Sequence, residues 1–247
     1  MLLLRLNRGI DHGDLDINVV QLHFLSLDGC ADEGKKGRAM KLMEPGVCRV
    51  DATQGELIGA TNRYVKTLAD LGGLYEDAAA FDALKQELGD SVVYEVTDFK
   101  PSANPGDMII GVTKMRPGKV GREYFLTRGH IHANANRPEM YYGERGRGVM
   151  LLESPDGDIR TVEIEPRTLC YVPPYWIHRS VNTGPDDLVM TFAYPADSGQ
   201  DYAIIEEAGG MKARVVEDGK GGWRLSDNTS YRGRPASRVT RVFASAT

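Results

Sequence analysis

The chain has 247 residues, of which 41% are hydrophobic and 26% charged, so it can build a sizeable core and is not a disordered chain. Its formal net charge of −5 argues against a nucleic-acid partner, because such proteins usually present a basic stripe. The first apolar run, Leu2 to Leu4, is too short for a signal peptide or a membrane span, and three widely spaced cysteines favour reduced thiols. We therefore expect a cytoplasmic protein without a membrane partner.

Residues 1–50 form a predicted N-terminal extension to which we assign no function. A strand is predicted over residues 18–27, followed by a Gly-rich loop over residues 28–38. His12 and His23 stand in no metal-ligand pattern, so we expect them to be structural.

A helix is predicted over residues 76–90, EDAAAFDALKQELGD. Gly89 can end this helix, and Asp77 places a carboxylate at its start, where the helix dipole favours negative charge. One buried face with three-and-four spacing is formed by Ala78, Phe81, Leu84 and Leu88.

From Val92 onward, short β-rich runs alternate with turns rich in Gly, Pro and Asp. The runs are VVYEV, MIIGVTKM, REYFL, GVMLLES, RTVEIE, TLCYV and LVMTFAY. A hairpin is predicted with Asp156-Gly157 at its tip. This pattern predicts an all-β antiparallel sandwich or barrel, followed by a polar, basic tail over residues 226–247.

Two histidines lie one residue apart in the stretch TRGHIHANANRPEMYYG. On a strand, His130 and His132 project from the same face, roughly 6.7 Å apart at Cα. Turn chemistry over residues 134–138 returns the chain so that Glu139 comes back beside them, and His178 follows a Pro-Pro turn further on. Three imidazoles and one carboxylate predict a site for a divalent transition metal.

The motifs GHIHANANRPEMYYGERGRG and YVPPYWIHRSVNTG resemble the two signature motifs of the cupin superfamily. The longer spacing between HxH and Glu, with TRGH before it and PPYWIHRSVN after it, is similar to the cupin-type glucose-6-phosphate isomerases of archaea and some bacteria. The resemblance runs from about Val92 to Ile205, which it marks as the barrel core, and it implies an isomerase domain over residues 51–225. It implies a cupin double-stranded β-helix, a jelly-roll-like small barrel, with a short helical and irregular N-terminal extension.

The resemblance also implies a metal-dependent aldose–ketose isomerase that interconverts glucose 6-phosphate and fructose 6-phosphate in glycolysis and gluconeogenesis. The subunit is expected to hold one divalent metal, with iron(II) as the first choice and manganese(II), zinc or nickel as alternatives. The partners implied are a sugar phosphate and a second copy of the chain in a homodimer. The implied metal ligands are His130, His132, Glu139 and His178.

Further site residues follow from the same resemblance. Glu139 and Tyr141 are the implied catalytic pair, and their spacing of two places both side chains in one cavity. The implied substrate and phosphate positions are Thr113, Thr127, Gly129, Tyr194, Gln200 and Tyr202. Without the resemblance, the threonines also fit strands by propensity and the tyrosines fit a core.

One position departs from the family pattern. Family members carry a histidine where this chain has Gln200, which can hydrogen-bond a sugar hydroxyl but cannot carry a proton. Lys114, Arg128 and Arg179 are candidates for long-range attraction of phosphate, although we interpret each as a solvated charge at a strand edge.

Two other functions share the same ligand set. A cupin with three histidines and one glutamate can hold iron(II) or manganese(II) and activate O₂, or cleave a small acid. A non-catalytic cupin that binds a sugar phosphate is the third possibility. The threonine, glycine and tyrosine positions favour the isomerase.

Overall fold

The computed structural model describes residues 42–244, and the described residues from Pro45 onward belong to one compact unit. The strand predicted over residues 18–27, the loop over 28–38, and both His12 and His23 lie outside the described residues. None of the helices within the described range has the length and apolar character that a bilayer crossing requires.

Antiparallel strands make up most of the described chain. The first seven are β1 (Arg49–Asp51), β2 (Glu56–Ile58), β3 (Asn62–Thr67), β4 (Val92–Phe99), β5 (Met108–Met115), β6 (Lys119–Val120) and β7 (Glu123–Tyr124). The others are β8 (Glu139–Arg145), β9 (Gly148–Glu153), β10 (Ile159–Ile164), β11 (Leu169–Val172), β12 (Ile177–Asn182), β13 (Leu188–Pro195), β14 (Ala213–Glu217) and β15 (Trp223–Asp227). The helices are α1 (Ala78–Leu88), α2 (Ala203–Glu206) and α3 (Ala236–Ala244), with a 3-10 turn at Ala69–Leu71.

Two of the sheets face each other across the interior of the domain. One has six strands in the order β11-β8-β13-β5-β4-β3, and the other has three in the order β10-β9-β12. A four-stranded sheet, β15-β14-β7-β6, and the hairpin β1-β2 complete the structure. Strands β9 and β12 are buried along their whole length, and Lys212 and Arg234 from the C-terminal part of the chain bond the carboxylate of Glu153 at the end of β9. The facing sheets thus enclose a protected interior.

The predicted all-β cupin fold is confirmed. The hairpin predicted around Asp156-Gly157 joins β9 and β10, and the predicted helix is α1. Asp77 caps this helix, since its carboxylate accepts a hydrogen bond from the backbone N–H of Ala80, and Gly89 follows its last residue. The domain boundaries drawn at residues 51 and 225 stay a prediction.

Several elements were not predicted. Strands β1, β2 and β3 precede the predicted core, and α3 lies in the segment expected to be a polar tail. His130 and His132 lie on a segment held by isolated bridges, not on a regular strand.

Candidate active site and metal centre

A cavity of about 320 Å³ lies between the six-stranded sheet and β12. Its walls are built by alternate residues of neighbouring strands, because side chains two apart on a strand share a face. On the six-stranded sheet these include Tyr94, Thr113, Tyr141 and Tyr194, while Ser180 of β12 lines the opposite wall. The cavity combines aromatic rings with hydroxyl groups, a composition that suits a polar ligand carrying some apolar surface.

The four predicted ligand residues converge at this cavity. One ligand atom from each of the four lies within 4.8 Å of the other three. The Oε2 atom of Glu139 lies 2.9 Å from Nε2 of His178, 3.2 Å from Nε2 of His132 and 3.9 Å from Nε2 of His130. Glu139 is only 3% exposed, so these groups are withdrawn from bulk water.

Backbone carbonyls fix the orientation of two imidazoles. Nδ1 of His132 lies 2.7 Å from the carbonyl oxygen of Arg137, and Nδ1 of His178 lies 3.1 Å from that of Trp176. A nitrogen that faces a carbonyl must donate, so each neutral ring presents an unprotonated Nε2 toward Glu139.

This arrangement fits a bound cation. The bare Nε2 of His178 and the carboxylate oxygen of Glu139 are both acceptors, and at 2.9 Å they need a positive charge between them. The buried Nε2 atoms of His130 and His132 have no hydrogen-bond partner among the described residues. A divalent metal ion would satisfy all four groups with the nitrogen and oxygen ligands that such ions take in proteins.

The electrostatics of the site also favour a cation. Burial lowers the pKa of His130 well below its usual value, and the neighbouring His178 and His132 lower it further. Burial opposes ionisation of Glu139, yet the adjacent imidazoles of His132 and His178 lower its pKa below the usual range. An ionised Glu139 beside a neutral His130 gives the cluster negative charge that a metal ion can neutralise.

The remaining predicted site residues line the same cavity. They are Thr113, Thr127, Gly129, Tyr141, Tyr194, Gln200 and Tyr202. Burial raises the pKa of Tyr141 well above its usual value, and the charge of Glu139 adds to this, so its hydroxyl stays protonated as a donor. The hydroxyl of Tyr202 donates to the side-chain oxygen of Gln200.

Other cavity residues were missed in the sequence. They are Asn62, Tyr64, Tyr94, Asp98 and Lys100, at alternate positions of β3 and β4 and at the end of β4. Their period of two was a usable signal, but β3 was not predicted, so its residues could not be placed on the cavity face.

Lys114, Arg128 and Arg179 were predicted to be solvated charges at strand edges, and they have different surroundings in the structure. Arg179 is buried, with 6% of its surface exposed, so its interpretation as a solvated strand-edge charge was wrong. Arg128 pairs with Glu206 at 2.8 Å and stacks over the ring of Tyr202 at 4.4 Å. Lys114 donates to the backbone carbonyl of residue 54 at 2.7 Å.

Facing antiparallel sheets and a buried cluster of three imidazoles and one carboxylate define a cupin with a candidate metal centre. The family model described as glucose-6-phosphate isomerase (GPI) matches residues 65–232, so the chain belongs to the glucose-6-phosphate isomerase family.

Two named relatives agree with this assignment. A glucose-6-phosphate isomerase from Sinorhizobium medicae is 57% identical over 203 residues, which cover 82% of this chain and 95% of that protein. One from Thermococcus onnurineus is 42% identical over 193 residues, which cover 78% of this chain and all of that protein. Among solved structures, oxalate oxidase in complex with the substrate analogue glycolate is 14% identical, with a TM-score of 0.38 over 44% of this chain and 55% of that chain.

Proposed function

We propose that this chain is a metal-dependent aldose–ketose isomerase that interconverts glucose 6-phosphate and fructose 6-phosphate. The observation that carries the proposal is the convergence of His130, His132, Glu139 and His178 on one point of a cavity whose other walls offer phosphate and hydroxyl partners. Relatives that bear this name align over nearly their whole length, which supports the same substrate here.

The phosphate group is proposed to bind at one end of the cavity. Thr113 and Thr127 place hydroxyl groups there, and Gly129 lets the backbone approach closely because it lacks a side chain. Hydrogen bonds to a charged phosphate are stronger than neutral ones, so these donors can anchor the substrate. Anchoring at the phosphate leaves C1 and C2 of the sugar to reach the metal cluster.

Glu139 is proposed to move the proton between C1 and C2. Its contacts with the three imidazoles all involve Oε2, which leaves Oε1 for the substrate in the same cavity. Its lowered pKa makes it a weak base, so proton removal needs a substrate that is itself made more acidic. Tyr141 stays protonated and can donate a hydrogen bond to a sugar oxygen.

A divalent ion held by the cluster would supply positive charge that stabilises the negative charge developing on the sugar oxygens during this transfer. Burial of the cluster keeps water away and strengthens that interaction. Iron(II) is the expected ion, with manganese(II), zinc or nickel as alternatives. A role in glycolysis and gluconeogenesis, a cytoplasmic location and a homodimer remain predictions.

The proposal is tested by a coupled assay for conversion of fructose 6-phosphate to glucose 6-phosphate, after chelation and after re-addition of single divalent ions. We expect activity to disappear with the metal and to return with at least one of the four ions. Full turnover by thoroughly metal-stripped protein would contradict the metal requirement. An oxygen electrode run in parallel tests the alternative oxygenase, which would consume O₂.

The route of the hydrogen is tested separately. Proton transfer through Glu139 exchanges hydrogen with solvent, so fructose 6-phosphate converted in deuterium oxide should carry deuterium at C2 of the glucose 6-phosphate product. A direct hydride shift between the two carbons would leave the product unlabelled. Glu139→Asp keeps the carboxylate but shortens its reach, and it should lower kcat more than it raises KM.

A further inference from the structure

The segment that carries the predicted phosphate donors contains a β-bulge opposite Arg179. Thr127 bonds through its backbone N–H to the carbonyl of Ser180 at 2.9 Å, and His130 and His178 exchange backbone bonds at 3.1 and 2.9 Å. Between these pairs the bulged segment has two residues, Arg128 and Gly129, where β12 has one. Such bulges occur beside active sites, where they redirect backbone groups away from the ladder.

Gly129 makes this bulge possible. Its φ of +73° lies in the left-handed region that glycine adopts without strain. Neither its backbone N–H nor the carbonyl of Arg128 takes part in a backbone hydrogen bond within the described residues. The bulge therefore frees one donor and one acceptor of the same peptide unit.

The side chain of Arg179 hydrogen-bonds to the free carbonyl group of Arg128. Its Nη2 atom donates to the carbonyl oxygen of Arg128. On β12, His178 and Ser180 face the cavity, so Arg179 between them points to the opposite side of the strand. The carbonyl of Arg128 is thus drawn away from the cavity. The peptide bond is trans, so the N–H of Gly129 points the other way, toward the cavity that Gly129 lines.

We infer that Arg179 is a positioning residue for phosphate binding, an inference that rests on the proposed function of this site. It holds the Arg128–Gly129 peptide so that the Gly129 N–H faces the phosphate. It also places a buried positive charge behind the donors, where low polarity strengthens its attraction for a dianion.

The surroundings of Arg179 agree with this role. Its Nε atom is buried without a hydrogen-bond partner among the described residues, so no neighbouring carboxylate holds its charge through that atom. The nearby Glu123 instead pairs with Arg214 at 2.8 Å. The positive charge of Arg179 can therefore attract an anion bound on the other side of the Arg128–Gly129 peptide.

The test measures binding of two open-chain acids that differ only in the phosphate, 6-phosphogluconate and gluconate, by calorimetry on metal-loaded protein. Arg179→Met should weaken 6-phosphogluconate roughly 10- to 100-fold, the equivalent of one hydrogen bond to a charged group. Gluconate affinity and metal content should change by less than about 3-fold, because neither depends on the phosphate donors. In the isomerase assay the same variant should raise KM with little change in kcat.

Arg145→Met is the control, because it removes a partly buried arginine that pairs with Asp187 and contacts neither the Arg128 carbonyl nor Glu123. It should leave 6-phosphogluconate binding within about 3-fold of the original chain. An Arg179→Met variant that binds 6-phosphogluconate normally, or that loses gluconate and metal equally, would overturn the inference.

A measurement on the unmodified chain covers the case in which Arg179→Met does not fold. In protein labelled with ¹⁵N-glycine, the Gly129 amide resonance should shift on addition of 6-phosphogluconate and not on addition of gluconate. An unchanged Gly129 resonance would overturn the inference. Because both tests record binding, they stay decisive if the chain binds the sugar phosphate without turning it over, whereas the coupled assay alone decides the isomerase function.

Discussion

Replacing Gly129 by alanine tests the bulge most directly. A Cβ atom at this position would lie 3.0 Å from Cβ of Arg179, 3.0 Å from the carbonyl oxygen of His178 and 3.1 Å from Cδ1 of Ile205. Two of these neighbours belong to β12, which also carries a ligand of the metal cluster. To accommodate the added methyl group, the bulge or its neighbours must move by a few tenths of an ångström.

The expected cost has two parts. A residue with a Cβ in the left-handed region costs about 1–2 kcal/mol, and overpacking a filled interior costs about 1–3 kcal/mol more. We therefore expect Gly129→Ala to lower the free energy of unfolding by about 2–5 kcal/mol. Displacement of the Gly129 N–H and of the adjacent His130 should lower kcat/KM by roughly 100-fold.

Gly219→Ala supplies the control, since Gly219 has a φ of +76° and a Cβ there would meet nothing within 4 Å. It should cost only the conformational part, about 1–2 kcal/mol, and leave kcat/KM unchanged. Guanidinium unfolding and the coupled isomerase assay measure both quantities. If Gly129→Ala matched Gly219→Ala in stability and in kcat/KM, the crowding argument for the bulge would be refuted.

Three further changes have definite expected results. His178→Gln should lower the affinity for the metal at least ~100-fold, so that the subunit holds well below one ion. Metal analysis after dialysis measures this, and full metal content would contradict the ligand assignment. Arg234→Met should lower the free energy of unfolding by about 3–5 kcal/mol, because it leaves the buried carboxylate of Glu153 without its ion-pair partner. A loss below about 1 kcal/mol in guanidinium unfolding would contradict this. In metal-free protein, the pKa of Glu139 is lower in the folded state than its usual value of 4.5. Below about pH 4.5 the unfolded chain therefore binds more protons than the folded chain, and the stabilisation from this group is lost as the pH falls. Glu139→Gln should therefore flatten the rise of unfolding free energy with pH in that range by about 1.4 kcal/mol per pH unit, and an unchanged acid slope would contradict it.

Local patterns made part of the fold predictable. Helix α1 carries its cap at Asp77 and its stop at Gly89 in the sequence, and the hairpin between β9 and β10 has its turn residues in place. Strand β5 was predicted with its observed bounds because its β-branched and apolar residues form one continuous run.

Long-range structure was less accessible. The exposed residues of β3 give a weak strand signal, and the strand forms because it pairs with β4 at the sheet edge. The burial of Arg179 could not be anticipated either, because residues distant in sequence, among them Leu74, Ile205 and Met211, lie with it on the outer face of β12. Sequence spacing marked the four metal-ligand candidates, but their mutual distances depend on how the two sheets face each other.

The candidate ligands come from both sides of the sandwich. Glu139 belongs to the six-stranded sheet, whereas His178 belongs to the sheet that faces it. A cation bound by both residues would cross-link the two sheets. Metal occupancy and the stability of the domain would therefore increase or decrease together. Any substitution that tunes the affinity for the ion would then also change how tightly the layers are joined.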